Sequence, residues 1–193
     1  MTRFGSLLLL GLAACAGTSA AAPEESVLLP RDELPGLSNF AKIDDGLYRG
    51  AQPTSAGMEV LQSLGVKTIV NLRAVHSDRD EIEGKGFRHA HISCKAWHPE
   101  EGDVVRFLAI AMEPENRPVF VHCEHGADRT GMMIAAYRVV AQGWSPEDAA
   151  VELPRFGFHP IWTGIRSRVR SFDAEALRRQ VAAARREALA IVP

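Results

Sequence analysis

Cys123 and Arg129 stand with five residues between them in the stretch His122-Cys123-Glu124-His125-Gly126-Ala127-Asp128-Arg129-Thr130-Gly131. Before it runs Pro118-Val119-Phe120-Val121, short, apolar and β-branched, the pattern of a buried strand. After it, residues 130–142 carry apolar side chains at helical spacing and stop at Gly143. A loop joining strand to helix can turn successive backbone N–H groups inward, and the helix adds the positive end of its dipole. Together they make a cradle for a phosphate dianion, formed by Cys123, Glu124, His125, Gly126, Ala127, Asp128 and Arg129. The same field favours the thiolate of Cys123, the form in which cysteine is a nucleophile. Arg129, planar and permanently charged, can grip two phosphate oxygens and hold the phosphorus in line with the sulfur. Attack by sulfur gives a phosphocysteine, which water hydrolyses in a second step. A strand cysteine alone is ordinary core material. His, Cys, Gly, Arg, Thr and Gly gathered in one ten-residue window are not.

The elements that must hold this loop are legible on either side. Residues 40–43 and 47–49 read as short strands around the turn Asp44-Asp45-Gly46. Thr54 or Ser55 caps a helix through Ser63, with Met58, Val60 and Leu61 inward and Gly65 past its end. Residues 66–72 and 87–93 read as strands, with a helical turn over 78–83 between them. Pro99 opens a helix to about Met112, with Val104, Phe107, Leu108 and Ala111 as its core stripe. Ser145 caps a helix over 146–153, another covers 161–171, and a last one 173–191. In that last helix Leu177, Val181, Ala184 and Ala188 recur at helical spacing, and Arg178, Arg179, Arg185 and Arg186 fall on a solvated face. Alternating strands and helices predict an α/β three-layer sandwich, with a mostly parallel central sheet flanked by helices on both faces.

The string HCEHGADRTG resembles the signature loop of cysteine-dependent protein tyrosine phosphatases, in particular small atypical dual-specificity members. Further pieces are similar to that group: Leu47-Tyr48-Arg49-Gly50-Ala51-Gln52-Pro53-Thr54, Ile69-Val70-Asn71-Leu72-Arg73, Ala96-Trp97-His98-Pro99, Gly143-Trp144-Ser145 and Gly157-Phe158-His159. The resemblance implies hydrolysis of phosphate monoesters on proteins or small molecules. It also implies a proton donor on the loop before the helix that precedes the cysteine strand. In Ala96-Trp97-His98-Pro99-Glu100-Glu101-Gly102-Asp103 the first choice is Glu101 and the second Asp103. An acid in the first turn of a helix is favoured by the dipole anyway, and that dipole opposes keeping a proton. Thr130 is expected to hydrogen-bond the cysteine sulfur, to cap the helix, or both. Relatives that act on highly phosphorylated inositols carry Lys or Arg inside the loop, whereas Glu124 and Asp128 repel polyanions. Phosphoproteins or small monophosphate esters are therefore expected ahead of phosphoinositides and inositol phosphates. A phosphate-binding module without turnover is the alternative; sulfur transfer or arsenate reduction fits the Arg-Thr-Gly ending less well.

The 193 residues, 46% hydrophobic and 24% charged, suffice for one domain with a sizeable core. Twenty-two Lys and Arg against 24 Asp and Glu leave a formal charge of −2, which argues against a nucleic-acid partner. The seven histidines lack ligand spacing around carboxylates or thiols, so neither metal nor cofactor is expected. A monomer is expected. The domains read as a signal peptide over 1–21, a linker over 22–36 and one phosphatase-like domain over 37–193.

Arg3 and the apolar residues 7–12 form an export signal too short to span a bilayer. Leu12-Ala13-Ala14-Cys15 resembles a lipobox, giving a lipoprotein signal over 1–14 and a membrane tether through lipidated Cys15; cleavage among Ser19, Ala20, Ala21 and Ala22 is the rival. Both predict an exported protein, periplasmic or anchored in the envelope. Cys94 is then either a buried strand-end residue or, in an oxidising compartment, a disulfide partner for Cys123. Mass spectrometry of the mature N-terminus should find a lipid on Cys15; an unmodified start after Ala20 would remove the anchor.

Overall fold

The computed structural model describes residues 28–98 and 100–190. The expected leader, Cys15, residues 22–27 of the linker and Pro99 lie outside the described residues. The turn Asp44-Asp45-Gly46 closes an antiparallel hairpin between β1 (Ala41–Asp44) and β2 (Leu47–Gly50), with the Gly46 N–H donating to Asp44 Oδ1 (2.8 Å). Helix α1 (Ser55–Ser63) begins where Thr54 Oγ1 accepts the Gly57 N–H (3.4 Å). Strand β3 (Thr68–Asn71), the single turn α2 (Arg79–Ile82) and β4 (Arg88–His91) follow, then α3 (Glu101–Ala111) and β5 (Val119–His122). The chain ends in four helices: α4 (Asp128–Ala141), α5 (Pro146–Glu152) with a 3-10 turn over Leu153–Phe156, α6 (Thr163–Arg170) and α7 (Ala174–Ala190).

The five strands lie in the order β1-β2-β5-β3-β4, and β1 alone among them runs against its neighbour. Register decides where chemistry can happen. Gly50 and Asn71 flank His122, and Asn71 faces His91, so the four parallel strands end on one edge and β5 leaves from its middle. Ligands of open parallel sheets bind at that carboxyl edge.

Two apolar layers close on the sheet. On one face Met58 and Leu61 of α1 and Ile82 of α2 pack on Phe40, Tyr48, Ile69 and Phe120. On the other, α3 to α7 cover Val70, Val119 and Val121. Phe107 and Leu108 of α3 are wholly buried there, each worth about 1.5–3 kcal/mol. Helix α4 is buried on nearly every side, as expected of the central helix of that layer.

Two sequence expectations shift. Helix α4 starts at Asp128 rather than Thr130, which puts Arg129 in its first turn. Arg178 stays exposed and Arg185 is partly buried, and both reach back to backbone carbonyls of the domain. Arg178 donates through Nε and Nη2 to the Val140 carbonyl near the end of α4 (3.1 and 2.7 Å), and Arg185 through Nη2 to Ala109 near the end of α3 (3.4 Å). Cations there complement the negative helix ends.

One buried ion pair joins α4 to α5. Arg138 Nη2 and Nε donate to the Glu152 carboxylate (2.7 and 3.3 Å), and the guanidinium stacks on Trp144, 4.4 Å from the ring centroid. Replacing Glu152 by Gln leaves a buried guanidinium without its counter-charge. Denaturant unfolding of Glu152→Gln should show a loss of about 3–5 kcal/mol; an unchanged midpoint would mean that water reaches Arg138.

Candidate active site

Three carbonyls of the Cys123 loop are held from outside. The Gln52 backbone N–H donates to Glu124 O (3.1 Å), Asn39 Nδ2 to His125 O (3.0 Å) and Arg49 Nη2 to Gly126 O. In a trans peptide the N–H of the next residue points opposite to the carbonyl. Fixing those three carbonyls outward therefore turns the N–H groups of His125, Gly126 and Ala127 toward the inside of the loop. This is the anion cradle, continued by the first turn of α4. Gly126 makes it possible: its φ is +70°, and a Cβ there would lie 2.5 Å from the carbonyl carbon of Gly50.

Arg49 is the costly part of this arrangement. It is 1% exposed in the middle of β2, and its guanidinium lies 3.6 Å from the Phe156 ring centroid. Burial pulls it down to about 10, so the charge survives at neutral pH, helped by the nearby Glu152 carboxylate. Asn39, at φ +52°, also donates Nδ2 to Phe156 O (2.9 Å), so the same anchors tie the loop to the turn after α5.

Inside this frame Cys123 is a buried free thiol at the end of the central strand. Arg129, half-buried, extends Nη1 toward the Leu72 carbonyl (3.5 Å) at the end of β3. Thr130 is buried, and its Oγ1 has no hydrogen-bond partner among the described residues. The residue before α4 is Ala127, so Thr130 is not its cap. Asp128 faces away from the loop interior: its carboxylate accepts the His159 N–H (2.8 Å) and pairs with His159 Nδ1 (2.9 Å). Glu124, at the rim, lies 3.7 Å from Arg73 Nη2. Glu124 therefore has a cationic partner, which weakens its repulsion of polyanions.

The two acid candidates part company. Glu101 accepts from Gln180 Nε2 of α7 (2.6 Å) and lies 3.6 Å from Arg168 Nη1 of α6, turned toward those helices. Asp103, two residues on, is half-buried beside Cys94, which lies within electrostatic reach of Arg129 and Cys123. Burial, then the neighbouring Glu100, raises Asp103 from its ordinary value against the pull of Arg106, Cys94 and Lys95. Cys94 is a free buried thiol, pushed up to about 12 by burial and by Asp103.

Behind Cys123 lies a polar network that sequence reasoning missed. His122 Nε2 donates to Asp78 Oδ2 (2.8 Å), while its Nδ1 lies 3.2 Å from Cys123 O and its ring stacks 5.7 Å from Phe120. Gln52 Nε2 donates to Asp78 Oδ1 (2.8 Å). Burial opposes the Asp78 charge, but the bonds from His122 and Gln52 outweigh it and keep the carboxyl low. Asn71 shapes the intervening turn, donating Nδ2 to His76 O (3.0 Å) and accepting the Arg73 N–H at Oδ1 (2.7 Å). A charged residue inside the apolar run Leu47-Tyr48-Arg49-Gly50 was the available signal for Arg49. Gln52 lay in the quoted stretch over 47–54 without a role, and nothing local marked Asn39 or Asp78.

The chain is 34% identical over 121 residues to the dual specificity protein phosphatase TpbA of Pseudomonas aeruginosa strain UCBPP-PA14, covering 62% of this chain and 55% of that protein. It is 30% identical over 126 residues to the inositol diphosphatase DSP4 of Arabidopsis thaliana, covering 61% and 63%. The chain thus spans less than two thirds of the length of either relative. The crystal structure of P. aeruginosa TpbA superposes with a TM-score of 0.71 at 29% identity, over 81% of this chain and 98% of that one. The family model described as "DSP-PTPase phosphatase fused to NAD+ Kinase" matches residues 38–156, from the strand that anchors the loop through the helices that seat it, and on that match the chain belongs to the DSP-PTPase phosphatase family.

Proposed function

We propose that this protein hydrolyses phosphate monoesters through a phosphocysteine on Cys123. The observation that carries the reading is the outward pinning of Glu124, His125 and Gly126 carbonyls around a buried cysteine and Arg129. The substrate's phosphoryl oxygens take the inward N–H groups and the Arg129 guanidinium. The Cys123 thiolate attacks phosphorus as the ester oxygen departs. That oxygen takes its proton from Asp103, which burial and Glu100 keep protonated closer to neutrality than an ordinary aspartate. In the second step Asp103, now a carboxylate, takes a proton from water as it attacks the phosphocysteine. Phosphate and the thiolate are released, and the Thr130 hydroxyl, without a partner among the described residues, is available to the departing sulfur.

Phosphoproteins remain the first substrate class. Val75, Trp97 and Ile161 stand exposed on three loops tied to the site through Arg73, Cys94 and His159, an apolar rim suited to peptide or aryl groups. The pairing of Glu124 with Arg73 favours inositol phosphates as a second reading, in keeping with the name of the Arabidopsis relative. A higher kcat/KM on an inositol pyrophosphate than on a phosphotyrosine peptide would put that reading first.

Wild-type protein should turn over an aryl phosphate, and Cys123→Ser should abolish turnover while still binding inorganic phosphate. Phosphate binding without wild-type turnover would mark a binding module instead. On an ester with a poor leaving group, Asp103→Asn should lower kcat by roughly 10²–10⁴-fold. A proton donor works below its own pKa, so kcat should fall as pH rises through the raised Asp103 value, and Asp103→Asn should flatten that limb. Glu101→Gln should leave both kcat and the limb near wild type; the reverse pattern would return the role to Glu101.

A further inference from the structure

We propose that His76, Asp78 and Glu81 bind one first-row divalent cation, with Zn2+ the best match, on the α2 face of the sheet behind the Cys123 loop. One ligand atom from each of the three lies within 4.8 Å of the others. His76 Nε2 is 3.5 Å from Asp78 Oδ1 and 3.4 Å from Glu81 Oε1. These separations are too long for good hydrogen bonds. They match a tetrahedral shell, in which metal–ligand distances near 2.0–2.2 Å put neighbouring donors about 3.3–3.6 Å apart.

Hydrogen-bond accounting points the same way. His76 Nε2 and Glu81 Oε2 are buried atoms with no hydrogen-bond partner among the described residues. An ionised carboxylate accepts at about four lone-pair positions. Gln52 fills one on Asp78 Oδ1 and His122 one on Oδ2, leaving a position on Oδ1 facing His76. From β4, His89 Nε2, also buried and unpartnered, faces the other oxygen at 3.8 Å. Two carboxylates supply the charge that offsets a dication, and imidazole with carboxylate is a donor set suited to zinc. Three protein ligands leave one coordination position open. The spacing of the three residues, His76-Ser77-Asp78 and then Glu81 in the single turn α2, is too irregular to stand out as a metal motif in sequence.

A cation there would join α2 to the 72–77 turn and fix the carboxylate that receives His122. It would thereby brace the residue before the nucleophile without touching substrate, an outer-layer role of the kind that carboxylate–histidine pairs serve around metals.

The test uses the full chain carrying Cys123→Ser, so that the nucleophile cannot bind the probe, after removal of metal by a chelator. Calorimetric titration with Zn2+ alone should show one site per chain, and Zn2+ should raise the midpoint of thermal unfolding. Co2+ should give the visible d–d absorption of a protein-bound ion. In the same background His76→Gln and Glu81→Gln, both at partly exposed positions, should keep the circular dichroism of the parent and lose uptake and thermal shift. His98→Gln, an exposed histidine elsewhere, should keep both. Absence of one-site uptake, or uptake unchanged in both folded variants, overturns the proposal.

Discussion

The Cys123 loop has its carbonyls fixed before any ligand arrives. Three neighbouring residues, Asn39, Arg49 and Gln52, take the oxygens of three consecutive peptide groups, and the planarity of the peptide then aims the following N–H groups at the same inner point. An anion that enters finds dipoles already oriented and gains their attraction without first reorganising them. The sheet order serves this purpose. With β5 between β2 and β3, the donors on and after β2 stand beside the loop as it leaves the strand.

Buried charge is the cost of that rigidity, and the molecule meets it by pairing. Arg49 enters the core against the Phe156 ring, and Glu152 lies close enough to support both Arg49 and Arg138 electrostatically. Asp78 is wholly buried but receives His122 and Gln52. Stranding one partner of such a set costs far more than the pair contributes by being present. These pairs therefore act less as sources of stability than as constraints that admit one arrangement of the loop.

The acid side of the site follows the same logic of environment over composition. Glu101 and Asp103 occupy the same first turn of α3, where the helix dipole acts on both. Two positions turn the chain through about 200° of helix, since each residue advances it by roughly 100°. One carboxyl consequently meets Gln180 and Arg168, and the other meets Cys94 and the neighbourhood of Cys123. Helical phase separated them, and distance along the chain from the cysteine did not.

Local pattern determined a good deal here. The strand before Cys123, the hairpin at Asp44-Asp45-Gly46 and the Thr54 cap are each set by side-chain period, glycine and capping chemistry within a few residues, and each is where that chemistry places it; the helix that follows the Cys123 loop is there too, starting two residues earlier than its apolar period. The identity of the loop was legible for the same reason: its residues are contiguous. Tertiary structure decided what depends on residues far apart in the chain. Asn39 reaches a carbonyl 86 positions away, Arg49 one 77 away, and His122 a carboxylate 44 away. Period alone cannot show that Arg178 and Arg185 of α7 reach carbonyls near the ends of two other helices. Short-range order is written in neighbouring side chains, whereas the donors that aim the cradle meet it only once the sheet has brought its strands into register.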